Sequence, residues 1–148
     1  MTDENRMLGW REWLSLPDLG LQRIKAKVDT GARTSCLHAF YVEKFRARGS
    51  DFVRFGVHPV QRSLAATVNC QAELLDQRQV SDSGGHQELR FVISTRLLLL
   101  DFDDLIELTL TNRDSMRFRM LLGRTAMAAG GFRVDPSASY LAGRHGVQ

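Results

Sequence analysis

An all-β domain, its strands closed on themselves or sandwiched, is what this sequence predicts, and three observations predict it. Short runs of alternating or β-branched residues recur along the chain. Glycine- and proline-marked turns separate them, and a single segment, Arg124 to Ala129, carries a helical pattern. No repeat, linker or shift in composition divides the 148 residues, so 1–148 reads as one domain, long enough to bury a core.

Taken in order, Met7 to Leu16 is a strand anchored by Leu8, Trp10 and Trp13, and Pro17-Asp18-Leu19-Gly20 is the turn that ends it. In Leu21 to Val28, Ile24, Ala26 and Val28 fall on one face and Lys25 and Lys27 on the other, the period of two of a half-buried strand. That run stops at Asp29-Thr30-Gly31. Gly31 permits positive φ or close backbone approach, and Thr30 brings a hydroxyl that can tie the turn down. Thr34 to Phe40 leaves the turn as another strand. A polar link with Arg46, Arg48, Gly49 and Ser50 leads to strands at Phe52 to His58 and Thr67 to Leu75. Ser81-Asp82-Ser83-Gly84-Gly85-His86 reads as a hairpin tip, from which Arg90 to Leu100 returns. Leu105 to Thr111 alternates cleanly, Asn112 to Ser115 turns, and Met116 to Leu122 is a strand ended by Gly123. Gly130-Gly131 stops the helix, Phe132 to Val134 is extended, and Asp135-Pro136-Ser137 opens a tail of small residues.

Composition narrows the function. The net charge is only +3 and the basic residues are scattered, which argues against a phosphate-tracking nucleic-acid surface. Arginine dominates the basic set, and its fork suits carboxylates, so an acidic substrate is expected. Met1 to Asn5 lacks the apolar core of a signal peptide, and Leu97 to Leu100 is too short to cross a bilayer. The expectation is a soluble, cytoplasmic chain with no membrane partner. Cys36 and Cys70 read as reduced and buried, with a disulfide as the alternative.

Taken alone, Asp-Thr-Gly is an ordinary turn. Its weight comes from Met120-Leu121-Leu122-Gly123-Arg124, an apolar strand closed by Gly-Arg and followed by a helix. Val28-Asp29-Thr30-Gly31-Ala32, a glycine-tipped hairpin, then Leu121-Leu122-Gly123-Arg124 resemble, in that order, the pepsin-like and retroviral aspartic proteases. Gly9-Trp10-Arg11-Glu12-Trp13, Leu16-Pro17-Asp18-Leu19, Ala26 through Ser35, Leu37-His38-Ala39, Arg113 with Met116, and Val134-Asp135-Pro136-Ser137 narrow the likeness. They are similar to a bacterial retropepsin-like family labelled ATP-dependent zinc protease. The resemblance implies a single-lobe closed β-barrel with one short C-terminal helix.

It also implies a mechanism. Two aspartates about 3 Å apart cannot both ionise; they share a proton, one drawing a proton from water and the other hydrogen-bonding the scissile carbonyl. This chain carries one Asp-Thr-Gly, so a homodimer must bring Asp29 of a second copy to the twofold axis. By resemblance, Asp29, Thr30 and Gly31 form the catalytic set, with Thr30 bonding across the axis and Gly31 lining the channel for a peptide or protein substrate. Ala32 and Arg33 follow into the substrate site. Gly84 and Gly85 occupy the flap tip, Arg78 and Arg90 flank it, and Leu122, Gly123 and Arg124 support the catalytic loop. Retroviral members place acids after Asp-Thr-Gly-Ala, one of which pairs with the arginine after the second glycine. Arg33 and Thr34 stand there instead, so Arg124 is expected to find another carboxylate, Glu12 or Asp135.

The zinc half of the label finds little support. There is no His-Glu-x-x-His, and His38, His58, His86 and His145 are widely spaced. Cys36-Leu37-His38 places two potential ligands on one strand face, but a half-buried thiol beside a polar neighbour is the plainer reading, and a nucleophilic Cys36 lacks an orienting acid. Without a glycine-rich Lys-Ser/Thr phosphate loop, ATP hydrolysis by the chain itself is not expected; a family-associated ATP-grasp ligase is the partner that would supply ATP dependence. No cofactor is expected. The competing readings are a peptide-binding module of the same fold that does not turn over, and a metal-dependent peptidase.

Overall fold

The computed structural model describes residues 6–61, 63–81, 84–112 and 117–143. Met1 to Asn5, the hairpin-tip residues Asp82 and Ser83, most of the Asn112–Ser115 turn with the Arg113 and Met116 markers, and His145 lie outside the described residues.

The first predicted strand is two. β1 (Met7–Leu8) pairs in parallel with a C-terminal strand, and β2 (Arg11–Leu16) pairs antiparallel with β3 (Leu21–Val28). Gly9 makes the break: a Cβ there would lie 2.3 Å from the carbonyl oxygen of Ala138, to which Trp10 N donates at 2.8 Å. Between β2 and β3 a 3₁₀ turn at Pro17–Leu19 closes on Gly20, whose φ of 75° suits glycine. In β3 the alternation holds, with Ile24, Ala26 and Val28 buried and Arg23 and Lys27 exposed.

β4 (Ser35–His38) is buried throughout, as expected of a strand flanked on both sides. The stretch read as a polar link is mostly strand: β5 (Tyr41–Ala47) pairs antiparallel with β6 (Ser50–Val57), and Arg48 and Gly49 form the tight turn, at φ 52° and 80°. Positive φ at both central residues matches the twist of a two-residue hairpin, and here an arginine stands where Asn is usual. β7 (Val68–Glu73) completes this three-stranded sheet. β8 (Asp76–Ser81) and β9 (Gln87–Leu99) form the glycine-tipped hairpin, and β10 (Phe102–Thr111) returns along β9. β11 is only Met120–Leu122, followed by α1 (Arg124–Gly130), capped by Gly131 at φ 64°, and β12 (Arg133–Val134).

The larger sheet runs β10-β4-β11-β3-β2-β9-β8, and β9 also pairs with β10. One residue pair, Ser15 with Leu98, links β2 to β9. Leu14, Ile24, Leu37, Ile93, Leu97, Leu108 and Met120 fill the interior between these strands with no exposed surface. The fold is therefore mostly β, with one short α-helix among the described residues. No helix among the described residues is long and apolar enough to cross a membrane.

Candidate active site

β11 is threaded between β3, to which it is parallel, and β4, to which it is antiparallel, with Leu122 beside Val28. That placement brings the two sequence motifs together. Asp29 N donates to the carbonyl of Leu122 at 2.9 Å, and Gly31 N donates to Asp29 Oδ1 at 2.9 Å. The carbonyls of Ala32 and Arg33 accept from Arg124 N and Thr125 N at 2.8 and 3.0 Å, so the first turn of α1 is bonded to the loop. Gly123 fits where it does because it has no side chain: a Cβ would come within 2.6 Å of the Thr34 carbonyl carbon. Its N–H donates to Ser35 Oγ at 3.0 Å.

Among the described residues Arg124 does not pair with a carboxylate. Nη1 donates to the carbonyls of Thr30 and Gly31 at 3.0 and 3.2 Å, which corrects the expectation of Glu12 or Asp135. Glu12 is fully buried and accepts from Gly9 N, Leu141 N and Ala142 N, while Asp135 accepts from Ser137. Those two Ser137 bonds hold the Asp135 carboxyl below the usual range. With acids absent after Gly31, the guanidinium satisfies loop carbonyls instead of an ion pair. The turn is tied by Asp29 and Arg124; among the described residues the Thr30 hydroxyl contributes no hydrogen bond to it.

Asp29 is half-buried as a residue, and its carboxylate joins no ion pair among the described residues. It lines a cavity of about 1190 Å³, together with Gly31, Ala32 and Arg33 from its loop and Arg78 and Arg90 from the β8–β9 hairpin. Thr30, Gly84, Gly85, Leu122, Gly123 and Arg124 are not on that lining: the hairpin glycines are exposed at its tip, and the last three lie behind the loop.

The two hairpin arginines differ. Arg78 reaches Asp76 at 3.0 Å and Glu107 at 2.8 Å, so its charge is already matched; Glu107 and then Asp76 raise its pKa, and Arg78 holds the Asp76 carboxyl below its ordinary value. Arg90 is 9 % exposed, bonded to Glu88 at 3.1 Å and 3.7 Å from the Cys36 sulfur. Arg33 is exposed at the cavity edge and joins no ion pair among the described residues. Sequence reading missed the lining supplied by Gln79, Ser81, Glu107 and Thr109, although the alternation of β10 puts Glu107 and Thr109 on one face. Among the described residues no group of three or more His, Cys, Asp or Glu side chains is placed to hold a metal ion.

The family described as "Retropepsin-like aspartic endopeptidase RimB" matches residues 7–145 of this chain. The chain belongs to this RimB-like family. Relatives carry a different name. A "Probable alpha-L-glutamate ligase" of Shewanella pealeana is 43% identical over 99% of this chain but only 32% of its own length. One of Desulfotalea psychrophila, similarly named, is 48% identical over 82% of this chain and 26% of its own. The chain thus spans about a third or less of the length of these relatives. A crystal structure of a Legionella pneumophila protein of unknown function shares the fold, with a TM-score of 0.78 at 27% identity, over 93% of this chain and 98% of that one.

Proposed function

We propose that this RimB-like domain hydrolyses peptide bonds as a homodimer, with Asp29 of each copy forming the catalytic pair. The observation that carries the proposal is the placement of Asp29. Its carboxylate accepts from Gly31 N–H on the lining of a peptide-sized cavity and joins no ion pair among the described residues. In the dimer one carboxylate holds the shared proton and hydrogen-bonds the substrate carbonyl, and its twin removes a proton from the attacking water. Thr30 bonds across the axis and Gly31 borders the channel. The circuit of strand pairings acts as the single closed barrel of a retropepsin lobe, with the β8–β9 hairpin as its flap. Arg33, the cavity arginine with no carboxylate partner among the described residues, favours acidic peptides.

The relatives' name supports a partner. They are named as alpha-L-glutamate ligases, and the stretch that matches this chain fills only part of their length. We place this chain beside such a ligase, of the ATP-grasp kind, in the cytoplasm where ATP is available, and ATP use by that partner would account for an ATP-dependent label.

Asp29→Asn tests the reading. The variant is expected to keep its circular dichroism spectrum and melting temperature while losing cleavage of a random acidic peptide library by at least a thousandfold, on the order of what removal of a catalytic group costs. Residual turnover in a folded Asn variant sinks the proposal. Turnover lost to a chelator and restored by zinc would favour the metal-dependent alternative. Tight peptide binding with no cleavage at any pH would favour the binding module.

A further inference from the structure

The outward face of β2 and β3 is a ladder of cations laid over aromatic rings. Arg11 stands directly opposite Lys27 and Trp13 opposite Lys25, while Arg23, Lys25 and Lys27 alternate along one side of β3. Arg11 lies over Trp10 at 4.6 Å and Tyr140 at 4.9 Å, and Arg23 and Lys25 lie over Trp13 at 4.4 and 5.1 Å. Tyr140 stacks on Trp13 with ring centroids 6.2 Å apart, held there by a backbone φ of 55° that a tyrosine seldom adopts. Arg11, Lys25 and Lys27 meet no carboxylate at ion-pair distance among the described residues. Like charges set directly across two strands repel, so this arrangement costs stability in the free protein unless an anion relieves it.

From this geometry we infer a docking face for an extended, carboxylate-rich protein segment. Cations on alternate residues of β3 recur about every 6.5 Å, the spacing of same-side groups on an extended peptide. A peptide with acids at alternate positions therefore meets Arg23, Lys25 and Lys27 in register, and Arg11 broadens the row. Charge complementarity selects the anion, and the rings decide between kinds of anion. Their faces are covered by cations, so they are not offered to the stacked bases through which single-stranded nucleic acid is held. The row leads along β3 to Asp29, two residues beyond Lys27. The inference rests on the peptidase reading only in assigning this face to capture of an acidic substrate outside the cavity.

The test uses the intact chain and fluorescein-labelled hexaglutamate, with hexaglutamine and a single-stranded oligouridylate as comparison probes. Anisotropy is expected to show hexaglutamate bound and hexaglutamine not, with an affinity that falls as salt rises. Lys25→Gln with Lys27→Gln is expected to weaken binding at least tenfold, Arg11→Gln to weaken it further, and Lys44→Gln, on the other sheet, to change nothing. Unchanged affinity in the Lys25/Lys27 variant overturns the inference, as does equal binding of hexaglutamine. Oligouridylate binding that hexaglutamate fails to displace also overturns it. Binding that depends on Lys25 and Lys27 in a chain that cleaves nothing removes the peptidase reading alone. Cleavage by a chain whose hexaglutamate affinity ignores those lysines removes the docking face alone.

Discussion

At Gly123 the space for a side chain is already filled by the Thr34 carbonyl and Ser35 N, both within 3 Å of where a Cβ would stand. These contacts are backbone, which cannot rotate away. Gly123→Ala is expected to cost about 1–3 kcal/mol, the usual range for forcing atoms into a packed site. The cost falls on the bonds that hold Asp29, so cleavage should suffer more than stability; urea unfolding beside a kinetic assay checks both, and an alanine variant of native stability and activity refutes the packing argument. The two cysteines differ for a related reason. Cys70 is 4 % exposed with its thiol directed at the Leu19 carbonyl, and burial pushes its pKa from 9.0 to about 12. A thiol whose pKa is raised by folding contributes stability that is whole below pH 9.0 and is lost as pH climbs toward about 12. In the folded protein at pH 8, iodoacetamide should leave Cys70 unmodified, and mild urea should expose it; labelling at the rate of a free thiol would contradict this.

Among the elements, β2 is tied to the segment that follows β12 by one buried acid. Glu12 sits in β2 with its carboxylate turned inward, taking N–H groups from Gly9 at 2.6 Å and from Leu141 and Ala142 at 3.0 Å. β1 pairs with β12 just beyond. Glu12→Gln replaces an acceptor with an amide that presents N–H to N–H, and should cost about 1.5–3 kcal/mol, the range for bonds to a charged group. Hydrogen exchange should show the loss concentrated at 7–13 and 133–142; uniform destabilisation would contradict the tie. This is a case where the sequence was silent: nothing in Trp10-Arg11-Glu12-Trp13 says that the acid faces in, because two of its three donors come from residues more than a hundred positions later. β3 and α1 were legible because each carries its period and its stop signal within itself. β5 was not, since its exposed residues alternate weakly and its Arg48-Gly49 turn lacks the Asn that marks such turns. The site was half legible. Asp-Thr-Gly and Leu-Leu-Gly-Arg mark the loop and its support, but Arg124's partners and the pairing of Arg78 with Glu107 depend on strand register, which local sequence does not set.

For the whole molecule, the decisive quantity is how many chains an active unit needs. A single copy brings one aspartate to the cavity, the other acid on its lining, Glu107, being paired with Arg78, and one aspartate cannot both hold the shared proton and receive one from water. If two copies complete the centre, activity per chain must fall on dilution as dimers separate. Mixing offers a sharper measurement. Intact chain and Asp29→Asn chain, unfolded and refolded together in equal amounts, assort at random when their contact surfaces are the same. Only dimers of two intact chains cleave, so activity should drop to about a quarter of that of intact chain at the same total concentration. A monomeric enzyme would retain half, because each intact chain would act regardless of its neighbours. A result near half, with sedimentation showing single chains at assay concentration, would move the catalytic burden onto groups within one cavity and leave Asp29 without its twin.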